Sequence, residues 1–344
     1  MVSTSNPLNV LITSYLEPEY IEQIRQVDPR LNVIFEPSLI PAPRYAADHY
    51  GFDLVRSPED DKRWSDLLAS ADILFDFDYT HRKDLPELAL RTRWIQSTST
   101  GIGQFVHRNE YDKRMPQTIF TMAGIHARPL AEFTIMAVLM HYKRANLMFQ
   151  QQREKNFDRF SGTEVEGRVM GILGLGRIGV LVAQMGRAIG MRVLGMDLIA
   201  KPEVVDQYFK RENLDEMLAQ SEVVVVVMPD TPSTRKIIGT HELAVMKKGA
   251  LLINIGRGTS IDEAAMIAAL QSGQLGGAAL DVFEQEPLPK ESPLWDMPNV
   301  LICPHSASTS DRENGRIVEV FCDNLRRYLD GKPLRNVLNP ELLY

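Results

Sequence analysis

The sequence predicts an α/β protein of two domains, each built on a parallel sheet covered by helices. Three observations predict it. At 344 residues the chain has length for about two domains, each able to bury a full core. Short apolar runs alternate with helical patterns through the first hundred residues, the signature of parallel strands joined by crossover helices. And the segment VMGILGLGRIGVLVAQMGRAIGMRVLGMD, Val169 to Asp197, runs strand, glycine turn, helix, strand, acid.

In that segment each residue type has a physical task. Gly174 permits a tight turn, Gly176 lets the backbone approach a pyrophosphate, and Gly179 lets helix and strand pack closely. The N–H groups freed at the start of the helix then face phosphate, helped by the helix dipole. Asp197 closes the second strand, where a carboxylate accepts from ribose hydroxyls. The segment predicts one half of a dinucleotide-binding fold. An acid at this position repels a 2′-phosphate and favours NAD over NADP, with Lys201 close by in sequence.

In chain order, strands are expected at Leu8 to Ser14, Leu31 to Phe35, Asp72 to Phe77 and Trp94 to Ser97. Helices are expected at Pro18 to Val27, Asp60 to Ser70 and Asp84 to Leu90. Glu36 to Glu59 is longer than most connections and rich in proline and aromatic residues. It reads as a surface excursion packed by its own side chains or, more sharply, as a lid or pocket wall offering Arg44, Tyr45, His49 and Tyr50. Ser97-Thr98-Ser99-Thr100-Gly101-Ile102-Gly103 follows a strand and reads either as a plain loop or as a glycine turn whose backbone amides can hold a carboxylate. Arg128 to Tyr142 is a strongly apolar helix, flanked by His126, His141 and Arg144, which read as structural or solvated.

Past Asp197, strands are expected at Val223 to Val227, Ala250 to Ile255, Gly277 to Val282 and Val300 to Cys303. A helix is expected at Asp262 to Ser272 and an amphipathic one at Arg312 to Leu329. Asp197, Met228, Arg257, Asp281 and His305 all fall at strand ends, the edge where open α/β sheets bind ligands. Arg257 stands between two glycines, so its backbone can pass close to a ligand while its guanidinium forks onto a carboxylate. With His305 as proton donor and a nearby glutamate, the set fits hydride transfer to a 2-keto acid. On the residues alone Glu284 and Glu286 are equal candidates for that glutamate.

Composition excludes other classes. With 38 basic against 45 acidic residues the net charge is −7 and no basic stripe stands out, which argues against nucleic acid and anionic membranes. The two cysteines, Cys303 and Cys322, lack metal-ligand spacing and read as buried reduced thiols, so no metal is expected. No apolar run approaches the roughly twenty residues of a membrane span. The N-terminus shows no signal-peptide pattern, so the location expected is cytoplasmic.

Over nearly its whole length the chain resembles the D-isomer-specific 2-hydroxyacid dehydrogenases. The resemblance is carried by GILGLGRIG (171–179), MPDTPSTR (228–235), NIGRG (254–258), ALDVFEQEPLP (279–289) and CPHSA (303–307). It implies Arg257, Glu286 rather than Glu284, and His305 as the catalytic set. It implies Arg177, Ile178, Met228, Pro229, Thr234, Ile255 and Asp281 along the cofactor beside the glycines and Asp197. The substrate is then held by Ser99, Thr100, Gly101 and Ile102 with Arg257 and His305. The implied fold is a flavodoxin-like substrate domain, residues 1–121 and 308–344, into which a Rossmann NAD-binding domain, 122–307, is inserted. A homodimer built on the nucleotide domains, and domain closure that expels water before hydride transfer, are implied as well.

Three features depart from the family pattern: Gly103-Gln104 where an acid is common, Ala131-Glu132-Phe133 where a Glu-His pair is common, and the 36–59 excursion. The tail returns past Pro333 with no regulatory domain expected. The activity implied is NAD-dependent interconversion of a small 2-keto acid and its D-2-hydroxy acid, with glyoxylate, hydroxypyruvate or a bulkier acid as substrate. Formate oxidation is a rival, but it comes with a Gln-His pairing that Glu286 and His305 do not supply. The alternative from another class is an NAD-sensing, corepressor-like binding protein with vestigial activity.

Overall fold

The computed structural model describes residues 7–339. The first six residues and the last five of the expected substrate domain lie outside it. The chain divides into two compact units, one holding the residues up to His126 and from Thr309 onward, the other Ala127–Ser308.

The first unit carries β1 (Leu8–Ile12), α1 (Pro18–Arg25), β2 (Leu31–Ile34), α2 (Pro58–Ser70), β3 (Ile73–Phe75), α3 (Leu85–Leu88), β4 (Trp94–Gln96), α4 (Gly103–Arg108), α5 (Tyr111–Arg114) and β5 (Ile119–Thr121). All its strand pairs are parallel, in the order β2-β1-β3-β4-β5, the flavodoxin-like arrangement. Its inner strands are buried on both faces, with Val10, Leu11, Ile12, Ile73, Leu74 and Phe75 fully covered, because crossover helices cover both sides of a parallel sheet. Local signals begin the helices. Ser57 caps α2 by accepting from Asp60 N–H at 3.1 Å, and Pro58 follows at the first helical position, where a missing N–H costs nothing.

The second unit carries α6 (Ala127–Tyr142), α7 (Ala145–Glu154), β6 (Val169–Leu173), α8 (Arg177–Ala188), β7 (Arg192–Met196), β8 (Gln207–Phe209), α9 (Leu214–Gln220), β9 (Val223–Val226), α10 (Thr240–Val245), β10 (Ala250–Asn254), α11 (Glu263–Gln271), β11 (Leu275–Leu280) and β12 (Val300–Ile302). The sheet order is β12-β11-β10-β9-β6-β7-β8, every pair parallel. The order reverses between β6 and β9, which sets the ligand crevice at the carboxyl ends of those strands. The last helix, α12 (Glu313–Leu329), returns to the first unit. There Ile317, Phe321 and Leu325 pack with Val10, Ile12, Phe75 and Trp94.

Several expectations shift. Two edge strands, β5 and β8, and helices α4, α5 and α7 arise where none was expected. The helix expected at Asp84 to Leu90 is a single turn, α3. Cys322 is buried, whereas Cys303 is only partly so, because it follows an edge strand, β12, of half-covered residues. The 36–59 excursion is internally tied. Asp48 accepts from its own loop's Arg44, Tyr50 and Gly51 backbone N–H groups and from the Arg44 guanidinium. Arg56 donates to Leu39 O.

Candidate active site

In the second unit the functional edge is made by glycines where side chains do not fit. Gly174 sits at φ +102°, and a Cβ there would approach Val227 O to 2.6 Å. A Cβ on Gly179 would fall 1.9 Å from Gly174 O, so only glycine lets the first turn of α8 press against the end of β6. A Cβ on Gly176, the residue capping α8, would meet nothing within 4 Å. That open space, in front of the first turn of a twelve-residue helix, fits a pyrophosphate. Asp197 follows β7 directly, as expected of a ribose-binding acid. Its Oδ2 accepts from Leu175 N–H at 2.6 Å and its Oδ1 from Ile199 N–H at 3.4 Å. Lys201 reaches the same loop, donating to Leu175 O at 2.6 Å. Acid and lysine therefore brace the glycine turn together.

Beyond β9, Thr234 folds its own loop by donating to Pro229 O at 2.6 Å and accepting from Thr231 N–H. Met228 and Ile255 are buried beside that loop. After β10, Asn254 holds the next turn. It donates to Arg257 O at 2.9 Å and accepts from Gly256 N–H at 3.1 Å. A Cβ on Gly258 would land 1.9 Å from the Phe283 carbonyl, so the chain carrying Arg257 lies directly against the segment that carries Glu286. The arginine donates to Gly256 O at 2.7 Å. Burial draws its pKa below the usual guanidinium value, against the opposing pull of Glu286, Asp230 and Asp281.

His305 and Glu286 meet directly. Nδ1 of the imidazole lies 2.7 Å from Glu286 Oε2, while Oε1 accepts from Phe283 N–H at 3.0 Å. The hydrogen bond to Glu286 raises the histidine pKa above its ordinary value, against the opposing effect of burial. On the glutamate, burial pushes upward, but the bond to His305 and its charge hold the pKa below the ordinary one. His305 sits at φ +53°, in the left-handed region that few non-glycine residues adopt and that is concentrated at functional sites. Asp281 secures it: its carbonyl accepts from His305 N–H and its carboxylate from Ala307 N–H, both at 2.9 Å. Glu284 bonds instead to Glu263 through its backbone N–H.

The structure thus brings Glu286 and His305 into contact, with Arg257 and Asp281 in electrostatic reach, all inside the second unit. Ser99, Thr100, Gly101 and Ile102 belong to the first, leading from β4 into α4. Their loop is held by Ser97 Oγ accepting from Ser99 N–H, and by Ala123 N–H donating to Ser99 O. Thr100 Oγ1 lies 2.7 Å from His126 Nδ1, whose Nε2 is 3.3 Å from Glu313 Oε1. Two positioning residues escaped sequence reasoning. Asn254 was quoted within NIGRG without a role, although Asx side chains commonly fold the two residues after them. His126 carried no local signal, because its partner Glu313 is 187 residues away.

Residues 135–307 match the model of the D-isomer specific 2-hydroxyacid dehydrogenase, NAD binding domain. That is half of the chain. The protein belongs to the D-isomer specific 2-hydroxyacid dehydrogenase family. Among curated relatives, it is 39% identical over 183 residues to a glyoxylate reductase of Aeropyrum pernix, covering 53% of this chain and 55% of that protein. It is 43% identical over 185 residues to glyoxylate/hydroxypyruvate reductase B of Serratia proteamaculans, covering 53% and 57%. The match thus spans little more than half the length of these relatives. Solved structures extend the likeness to the whole chain. A family protein from Aeromonas salmonicida shares 29% identity with a TM-score of 0.81, over 97% of this chain and 99% of that one. A family dehydrogenase from Xanthobacter autotrophicus, solved with NADPH and MES, shares 29% identity with a TM-score of 0.77, over 99% and 100%. Among the described residues no helix is long and apolar enough to cross a membrane.

Proposed function

We propose that this family member reduces 2-keto acids to D-2-hydroxy acids with NADH, the first unit binding substrate and the second the dinucleotide. The observation that carries the reading is the 2.7 Å contact of His305 with Glu286. It supplies a histidine whose pKa is raised, and which therefore stays protonated higher into the neutral range. The glycine turn 174–179 with Asp197 would hold the dinucleotide, whose reduced nicotinamide supplies hydride. Arg257 grips the substrate carboxylate and polarises its carbonyl. His305, with Nδ1 committed to Glu286, donates from Nε2 to the oxygen on which charge develops. Glu286 fixes the ring orientation and stabilises the imidazolium. Asp281 and Asn254 hold the two turns that present His305 and Arg257. Ser99 to Ile102 bind the substrate through backbone groups.

Asp197 supports NAD as the preferred dinucleotide, since a carboxylate there disfavours a 2′-phosphate. The Xanthobacter neighbour's NADPH makes the point worth measuring. Exposed Met136, Leu139, Met148, Phe149 and Phe157 on and after α6 and α7 support a homodimer through the nucleotide-binding unit, since exposed large apolar side chains gathered on one stretch of chain favour association. Two unpaired thiols fit a cytoplasmic location.

The test follows NADH absorbance with glyoxylate, hydroxypyruvate, pyruvate and phenylpyruvate, with NADPH in parallel. Turnover of at least one acid at about 1–10³ s⁻¹, and slower with NADPH, is expected. Tight NADH binding without turnover of any acid overturns the enzymatic reading, and faster turnover with NADPH overturns the cofactor preference.

A further inference from the structure

The excursion before α2 lines an open cavity that the catalytic chemistry above does not use. It has a volume of about 230 Å³ and lies wholly within the first unit. Tyr15 and Glu17, just past β1, form one side of it. Arg44, Tyr45 and Asp48 of the excursion form another, and Asn314 in the first turn of α12 a third.

The lining carries two carboxylates, Glu17 and Asp48, against one cation, Arg44. Asn314 is 4% exposed, and its Nδ2 donates to Glu17 Oε2 at 2.9 Å. That bond assigns the amide orientation and leaves Oδ1, which is buried without a partner. An orphaned buried acceptor is costly unless a donor meets it. The one cation of the lining is already engaged. Arg44 forks onto Asp48 through Nε at 2.6 Å and Nη2 at 3.0 Å, and lies over the Tyr45 ring at 5.5 Å. The neighbouring His49 adds no charge. Burial drives its pKa down to about 4 despite the nearby carboxylates of Glu313, Asp48 and Glu17. Its Nδ1 lies 3.2 Å from Ser14 Oγ. Glu17 is therefore a carboxylate beside an unanswered amide oxygen, with the local positive charge spent.

We propose that this cavity is a specificity subsite, in which Glu17 and Asn314 Oδ1 receive a cationic N–H donor at the far end of a 2-keto acid side chain. A guanidinium or ammonium supplies donors to both acceptors, whereas a carboxylate faces Glu17 and a methyl group leaves Oδ1 unpaired. The subsite lies on the same carboxyl edge of the sheet as the Ser99–Ile102 loop, which is joined to α12 through Thr100, His126 and Glu313. The inference rests on the 2-keto acid reading and adds a substrate class to it.

The test is calorimetric binding to the full chain in the presence of NADH, so that it stands apart from turnover. Three acids of matched length serve as probes: 5-guanidino-2-oxopentanoate, 2-oxooctanoate and 2-oxooctanedioate. The guanidino acid is expected to bind at least about tenfold more tightly than the neutral acid, the scale of one charge-assisted hydrogen bond, and the diacid most weakly. Glu17→Gln, at a partly exposed helix start, and Asn314→Leu are each expected to collapse the first preference, with thermal melting confirming that the variants fold. Equal affinities, preference for the diacid, or a guanidino preference that survives both substitutions overturns the proposal. Failure of every acid to turn over, with the binding preference intact, overturns the enzymatic reading and leaves the subsite standing.

Discussion

Two sheets of the same parallel kind present their carboxyl edges in different ways. In the second unit the edge is assembled from neighbours in sequence. Asn254 folds Gly256 and Arg257, Glu286 takes the N–H of Phe283, and even the His305–Glu286 contact spans only 19 residues. In the first unit the polar edge is joined by bonds across 187 residues, His126 to Glu313, and 297 residues, Asn314 to Glu17. Local assembly leaves glycines and fixed spacings behind as motifs. Remote assembly leaves isolated histidines and asparagines that look like any others.

The comparison predicts that the second unit's edge fails in chemistry and the first unit's in stability and selection. The largest expected effect is His305→Ala, which removes the proposed proton donor. Keto acid reduction should fall by about 10²–10⁴, while NADH affinity by fluorescence titration and the denaturation midpoint stay near wild type. Residual activity close to wild type would show that another group supplies the proton.

Next is Glu286→Gln, which removes the charge that raises the His305 pKa. Reduction needs the protonated imidazole, so the rate is full below that pKa and declines as pH rises through it. Losing the upward shift moves the alkaline limb of the kcat/KM profile to lower pH. An unmoved limb would mean that a different group titrates there.

The smallest is Glu313→Gln in the first unit. The substitution weakens a pair of buried side chains, 5% and 8% exposed, at a cost of about 1–3 kcal/mol. Urea unfolding should show the loss with the cofactor affinity of the second unit unchanged. A stability like wild type would mean that the long-range bonds of this edge contribute little.

Much of the architecture was legible because parallel strands buried on both faces must be continuous apolar runs; Val223 to Val226 is the plainest example. The edge strands β5 and β8 were missed for the converse reason. Three residues each, with Ile119 and Gln207 exposed, they carry no pattern of their own and exist because a neighbouring strand offers a free ladder. Arg257 was legible because Gly258 beside it, whose Cβ would fall 1.9 Å from the Phe283 carbonyl, admits no other residue; Glu286 and His305 were legible through the motifs that carry the family resemblance.

By itself, then, the sequence determined the alternation of strands and helices and the glycine turn before α8, both written in demands on adjacent residues. The candidate set Arg257, Glu286 and His305 was written in motifs, since Glu284 and Glu286 differ only by the family pattern. Tertiary structure alone decided that Asp197 and Lys201 brace one loop and that the excursion is tied through Asp48. It also decided that Asn314 stands over Glu17 with an oxygen to spare. Those pairings depend on where the chain returns in space, and hydrogen bonds between remote side chains impose no spacing that a linear reading can detect.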